Sequence, residues 1–154
     1  MIADGVTRFL RQYLPFAQME QEALEFFVAH LDLGYYPAGT AILDPAQAEP
    51  SLLYIIQRGT VQVMTFAATQ SGDAQPVSLG AGECFSVSAL LEQRPVMAPY
   101  TAVTDTFCYE FPATRFAELL NRSPVFREFA TAYLTAMLRE SRRLIKMNFT
   151  SATG

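Results

Sequence analysis

Tryptophan is absent from this chain, histidine occurs once, at His30, and there are only two cysteines, Cys84 and Cys108. One imidazole rules out the clusters of two or three histidines by which small β-barrels hold a catalytic metal. It also leaves a cysteine nucleophile without its usual base, so no metal and no catalytic residue is assigned and a non-enzymatic role is expected. Basic residues are scarce as well, 11 Lys and Arg against 15 Asp and Glu. The net charge of −4 and a pI near 4.9 argue against direct contact with nucleic acid, which needs clustered cations to neutralise phosphates. Long apolar runs are missing: each is broken well short of the roughly 20 residues that cross a bilayer. With no basic-then-apolar leader pattern, a soluble cytoplasmic protein with no membrane contact is expected, and the two cysteines read as buried free thiols.

What the chain does have is core material. Half of its 154 residues (51%) are hydrophobic, with 12 Phe and 7 Tyr. Charged residues amount to 17%, below the globular average of about 25%, which speaks against disorder. One domain is expected, divided into a helical segment at 1–30, a β region at 31–112, C-terminal helices at 113–147 and a polar tail at 148–154.

The opening segment carries Val6, Phe9, Leu10, Leu14, Leu24, Phe26, Phe27 and Val28 at helical spacing, interrupted at Leu14-Pro15-Phe16. Two short amphipathic helices follow from that pattern. The period then changes. Leu31 to Tyr36 and Ala41 to Leu43 read as strands around the turn Pro37-Ala38-Gly39-Thr40. Ser51 to Gln57 and Thr60 to Met64 read as a hairpin about Arg58-Gly59, and Ala67 to Gln75 as a tip loop before a strand at Pro76 to Leu79. Further strands are expected at Pro99 to Val103 and Thr106 to Phe111, and short strands at such regular spacing indicate an all-β sandwich or barrel. After Pro112, Thr114 is a plausible cap for a helix at Arg115 to Leu120. Ser123-Pro124 opens a longer helix, to about Met147, with Phe126, Phe129, Ala130, Tyr133, Leu134, Met137, Leu138, Ser141 and Leu144 along one side. That stripe serves either the domain's own core or a second copy, so a homodimer through the 124–147 helix is expected.

Between the last three strands lies Gly80-Ala81-Gly82-Glu83-Cys84-Phe85-Ser86-Val87-Ser88-Ala89-Leu90-Leu91, then Glu92-Gln93-Arg94 and the run from Pro95 to Thr106. It reads as a turn, a short strand, a helix over 86–92 and a proline stop. A helix start held between strands offers unpaired N–H groups and the positive end of the helix dipole to an anion.

The order of elements resembles the cyclic-nucleotide-binding domain family: mainly β with flanking helices, a double-stranded β-helix (jelly-roll-like β-roll) with N-terminal helices, a short cassette helix and two C-terminal helices. The resemblance rests on Leu14-Pro15-Phe16, on Tyr36 to Leu43 with its glycine turn, on Leu53 to Val63, and on Gly82-Glu83-Cys84-Phe85 at the start of the phosphate-binding cassette. It spans roughly residues 14 to 140. Members that bind cyclic AMP or cyclic GMP have Phe-Gly-Glu-Leu-Ala-Leu, with Pro-Arg-x-Ala-x-Val beginning ten residues after the Phe. Here Phe85 is followed by Ser86, Val87, Ser88, Ala89 and Leu90, and Pro95 by Val96, Met97, Ala98, Pro99 and Tyr100. By this resemblance Val87 stands where a carboxylate takes the ribose hydroxyl, and Val96 where a guanidinium pairs with the cyclic phosphate.

Each charge-assisted hydrogen bond contributes about 1.5 to 3 kcal/mol, so losing both weakens binding by about 3 to 6 kcal/mol, or two to four decades. The resemblance therefore implies a regulatory sensor domain with a degenerate cassette and weak or no cyclic-nucleotide binding, so that no cofactor is assigned. Its ligand contacts would come from Phe85, Ser86, Val87, Ser88, Ala89, Arg94, Val96, Met97, Ala98 and Tyr100. Arg94 is the one cation able to replace the missing guanidinium, although a solvated arginine is its commoner fate, as a plain cap is for Ser86 and Ser88. The alternative is a ligand-free dimerisation or docking module in which Val87, Val96, Met97 and Tyr100 fill the pocket. Within the family, the segment from Glu83 to Cys108 is similar to the N-terminal domain of bacterial signalling proteins that carry paired CBS domains and a putative nucleotidyltransferase domain downstream. Effector domains outside these residues are implied. A regulator of the catabolite-activator type would require a helix-turn-helix segment after the long helix, and that type is not the one expected.

Overall fold

The computed structural model describes residues 2–65 and 75–136. The opening segment forms α1 (Ile2–Leu10) and α2 (Gln21–Ala29), joined through a 3-10 turn at Phe16–Gln18. Asp4 in the first turn of α1 and Arg8 in its last turn complement the helix dipole. The Arg11 guanidinium donates to the carbonyls of Phe16 at 2.8 Å and Met19 at 2.9 Å, which holds the connection closed. Helix α2 turns Ala23, Leu24 and Phe27 inward, the i, i+1, i+4 spacing of one helical face.

Eight strands follow: β1 (Asp32–Tyr36), β2 (Ala41–Leu43), β3 (Leu52–Arg58), β4 (Val61–Thr65), β5 (Gln75–Leu79), β6 (Cys84–Phe85), β7 (Tyr100–Ala102) and β8 (Thr106–Pro112), with the short helix α3 (Val87–Glu92) between β6 and β7. They make two four-stranded antiparallel sheets, ordered β1-β8-β3-β6 and β2-β7-β4-β5. The expected β-roll is the observed architecture.

One expectation is corrected here. Strands β3 and β4 do not form a hairpin ladder: β3 pairs with β8 and β6, whereas β4 pairs with β5 and β7. The turn at Gly59 carries the chain from one sheet to the other. Gly59 adopts φ +106, and a Cβ there would collide with the Asp105 carbonyl and Thr106, so its corner position and its lack of a side chain have one cause.

Alternation along the strands divides the core in two. Leu53, Ile55 and Cys84 face the helices and join Leu10, Phe16, Phe27, Phe111, Leu119 and Phe126. Tyr54, Ile56, Phe85 and Cys108 face the roll interior and meet Ile42, Leu43, Val61 and Ala102 from the second sheet. Strand β3 is buried on both faces, which is why its sequence is continuously apolar rather than alternating. Burying side chains of this size contributes about 1.5 to 3 kcal/mol each.

After β8 a 3-10 turn (Ala113–Arg115) leads to α4 (Phe116–Arg122). Thr114 lies inside that turn and caps nothing, contrary to the sequence expectation, because the chain tightens before the α-helix begins. Ser123 does cap the next helix, α5, whose described part runs over 124–136: its hydroxyl accepts the Phe126 N–H at 3.0 Å. The Glu20 carboxylate accepts from the Ser123 hydroxyl at 2.6 Å and the Val125 N–H at 3.2 Å, joining the start of α2 to the start of α5. Phe126 and Ala130 pack into the helix-side core, with Phe129 and Tyr133 against it. The tip loop (apart from Gln75, in β5), the far half of the long helix and the tail (66–74, 137–154) lie outside the described residues.

Candidate functional site

The cassette is a rigid backbone turn anchored on β3. Gly82 takes φ +86 and donates to the Ile56 carbonyl at 2.7 Å, while Ile56 donates to Glu83 at 3.0 Å. A Cβ on Gly82 would overlap the Tyr13 ring, so the N-terminal segment is packed directly onto this turn. The Glu83 carboxylate accepts the Gly80 N–H and closes the loop from the other side.

Ser86 then adopts φ 75, ψ 0, left-handed backbone that costs a residue with a side chain about 1–2 kcal/mol. Its hydroxyl does not cap α3: it donates to the Leu52 carbonyl at 2.8 Å, pinning the cassette to the start of β3. The first intrahelical bond of α3 runs from the Leu90 N–H to the Ser86 carbonyl at 3.0 Å. The helix ends at Gln93, also left-handed (φ 53), with the Arg94 N–H on the Ala89 carbonyl at 3.1 Å.

The side chains expected to make the ligand site come together only in part. Phe85, Ala89 and Val96 are buried in the roll interior, and Tyr100 packs against them. Val87 is buried on the opposite side, among the helices. Ser86 and Ser88 are buried, and Ala98 is partly so. Met97 is 72% exposed and fills no pocket, because the loop after Pro95 turns it outward while Val96 points in. Arg94 is not directed at the helix start. Its guanidinium donates to the Glu92 carboxylate and, at 3.0 Å, to the Pro95 carbonyl, at the C-terminal end of α3.

Through the interior runs a row of rings. Tyr54 and Phe85 stack with centroids 4.6 Å apart and planes 1° from parallel, and Phe85 and Tyr100 stack at 5.1 Å and 12°. Tyr36 meets Tyr54 at 6.3 Å and 65°. Burial pushes the phenols of Tyr54 and Tyr100 up to about 12. At the Tyr36 end the phenol donates to the Glu110 carboxylate at 2.5 Å. Burial first, then this bond and the nearby charge, raise the Tyr36 phenol far above its ordinary value.

Glu110 was not expected here. Thr106, Cys108 and Glu110 share one face of β8, and that shared parity with two buried positions is the signal that places the carboxylate inward. Both cysteines are buried free thiols as expected, and burial pushes each up to about 12. Among the described residues no three His, Cys, Asp or Glu side chains group to hold a metal, and no helix is long and apolar enough to cross a membrane.

The family model described as cyclic nucleotide-binding domain matches residues 33–123, from β1 through α4 and the Ser123 cap. The chain belongs to this family. The cAMP-activated global transcriptional regulator CRP of Haemophilus influenzae is 25% identical over 142 residues, covering 90% of this chain and 62% of that one. This cyclic-nucleotide-binding domain thus spans less than two thirds of that relative's length.

Among solved structures, the sensor domain of the transcriptional regulator DNR from Pseudomonas aeruginosa has a TM-score of 0.72 at 14% identity, covering 92% of this chain and 94% of that one. The Thermus thermophilus catabolite activator protein has 0.68 at 23%, covering 92% and 62%. The regulatory subunit of a cAMP-independent protein kinase A from Trypanosoma brucei has 0.70 at 18%, covering 84% and 45%. These structural likenesses are to the fold. Against the family's cassette pattern, Ser86 occupies the glycine position, and its backbone is left-handed. Tyr100 occupies a valine position and adds a ring to the interior stack.

Proposed function

We propose that this domain is a non-catalytic regulatory module of the cyclic-nucleotide-binding family whose cassette has kept its backbone and lost its cyclic-nucleotide chemistry, giving weak or no binding of cyclic AMP or cyclic GMP. The observation that carries this reading is the fate of the two charged positions. Val87 and Val96 are both buried in apolar clusters, and the neighbouring Arg94 is engaged by Glu92. A cyclic phosphate seated at α3 would be buried without a counter-charge, at a cost of several kcal/mol.

A second reading, a ligand-free dimerisation or docking module, is favoured by the Tyr54–Phe85–Tyr100 stack, which fills the interior beside the cassette. In either case the partners proposed are a second copy, paired through the helix that begins at Ser123, and effector domains outside these residues. Of those, the paired CBS and nucleotidyltransferase arrangement suggested by the Glu83–Cys108 segment is the one proposed, in the cytoplasm of a bacterium.

The test is gain of binding. The variant V96R/Y100V restores the guanidinium and the room for a ligand on the interior side, where Val96 and Tyr100 lie, and leaves Val87 in the helix-side core. Cyclic AMP is expected to raise its melting temperature while leaving the unaltered chain unmoved. If the unaltered chain responds equally, the charged positions are not what decides binding.

A further inference from the structure

The two sheets present four edge strands, and three of them are blunted against further pairing. Strand β2 has three residues and a register shift against β7, β6 has two residues, and β5 carries Pro76. Strand β1 has none of these devices. It pairs with β8 in unbroken register over five residues, and among the described residues Asp32 to Tyr36 make no other backbone pairing. Leu33 and Tyr35 share its helix-side face and are 58% and 51% exposed, with the Tyr35 ring 4.9 Å from that of Phe107. An open edge flanked by apolar side chains is a template for one more strand.

The inner face of the same edge is acidic. Asp32 and Glu110 stand directly opposite one another in the β1–β8 register, and like charges so placed repel. The ion pairs among the described residues join Arg94 to Glu92 and both Arg115 and Arg122 to Glu118, so neither carboxylate has a cation there. A strand that fits this edge therefore carries apolar residues on one side and a cation on the other.

The chain itself contains such a segment. Residues 137–154 hold Arg139, Arg142, Arg143 and Lys146 against Glu140, which leaves 14 of the 15 acidic and 7 of the 11 basic side chains to residues 1–136. After Leu144, the last member of the helical stripe, Ile145-Lys146-Met147-Asn148-Phe149 alternates apolar and polar residues with the period of a strand. The reach is sufficient. Tyr133 packs against the cluster that includes Cys84 of β6, and β1 lies three strand spacings from β6, roughly 14 Å. The nine residue steps from Ala136 to Ile145 span up to about 30 Å.

We propose that residues 145–149 add to the open edge of β1, with Ile145 and Met147 against Leu33 and Tyr35 and with Lys146 beside Asp32 and Glu110. This contact rests on neither reading above.

Lys146 is the chain's one lysine, so zero-length carbodiimide coupling of the unaltered full chain reports its ion pairs directly. Peptide mapping is expected to find an amide between Lys146 and Asp32 or Glu110. It should lie in the monomer band if the segment docks on its own copy and in a dimer band if it docks on a second; either location supports the contact. In L33S/Y35S, both exposed positions, loss of two apolar cross-strand pairs should lower the yield about threefold or more. A cooperative melt of that variant confirms that it is folded. No coupling, coupling of Lys146 mainly to other carboxylates, or an unchanged yield in folded L33S/Y35S would each overturn the proposal.

Discussion

Ser86 provides a quantitative check on the cassette geometry. At ordinary positions Ala is more stabilising than Gly by about 0.5–1 kcal/mol, because Gly has more backbone freedom to lose. At φ 75 the order should invert. S86A keeps the left-handed cost of about 1–2 kcal/mol and loses the hydroxyl bond to Leu52, about 1 kcal/mol. S86G loses the same bond but is relieved of the left-handed cost, less the entropy of glycine. S86A should therefore be about 1 kcal/mol less stable than the unaltered chain, and S86G should lie between S86A and slightly above the unaltered chain. With mid-range values of about 1.5 and about 0.75 kcal/mol for the two terms, S86G should lie about 0.75 kcal/mol above S86A, or about 1.5–3 °C in Tm for a chain of this size. Urea denaturation with a common slope resolves such a difference. S86A above S86G by the ordinary amount of about 0.5–1 kcal/mol would mean that residue 86 is not held left-handed.

Three further outcomes follow from other parts of the molecule. Burial raises the Glu20 carboxyl, but the bonds from Ser123 and Val125 outweigh it and hold the group below its ordinary value. Its contribution is therefore present above the ordinary carboxylate range and is lost as pH falls through the lowered value. E20Q should cost about 1 kcal/mol at neutral pH and flatten the acid limb of the stability profile, and an unchanged profile would refute the bridge. G82A combines a left-handed backbone with an overlap on the Tyr13 ring, so a loss of about 2 kcal/mol or more is expected by chemical denaturation. Cys84 and Cys108 should resist a thiol reagent such as DTNB at neutral pH until the chain unfolds, and rapid labelling of the native protein would contradict their burial.

Much of this fold is legible residue by residue because punctuation and periodicity are local. Proline and glycine mark the turns at Pro37–Gly39 and Gly80–Gly82, the 3.6-residue period marks the opening helices, and the continuous apolar run of β3 announces a strand buried on both faces. Sheet membership is a different kind of fact. Nothing within Ser51 to Met64 shows that the turn at Gly59 changes sheets, because the evidence lies in Asp105 and Thr106, nearly fifty residues away.

The cassette shows the same division. Its spacing and its missing charges can be read from Phe85 to Tyr100. But an apolar β-branched side chain suits either core equally, so the separation of Val87, at the start of α3, from Val96, in the loop before β7, is visible only in the folded chain. Glu110 was lost for the opposite reason: a lone carboxylate in an alternating strand reads as the solvent face, and only its neighbours Cys108 and Thr106 turn it inward.

The central claim, that the family's cassette survives here without its cyclic-nucleotide chemistry, is tested most directly by calorimetric titration of the unaltered chain with cyclic AMP and cyclic GMP. Removal of both charged partners predicts dissociation constants weakened by two to four decades, hence no saturable heat at submillimolar ligand. Saturable submillimolar binding of either nucleotide would contradict it.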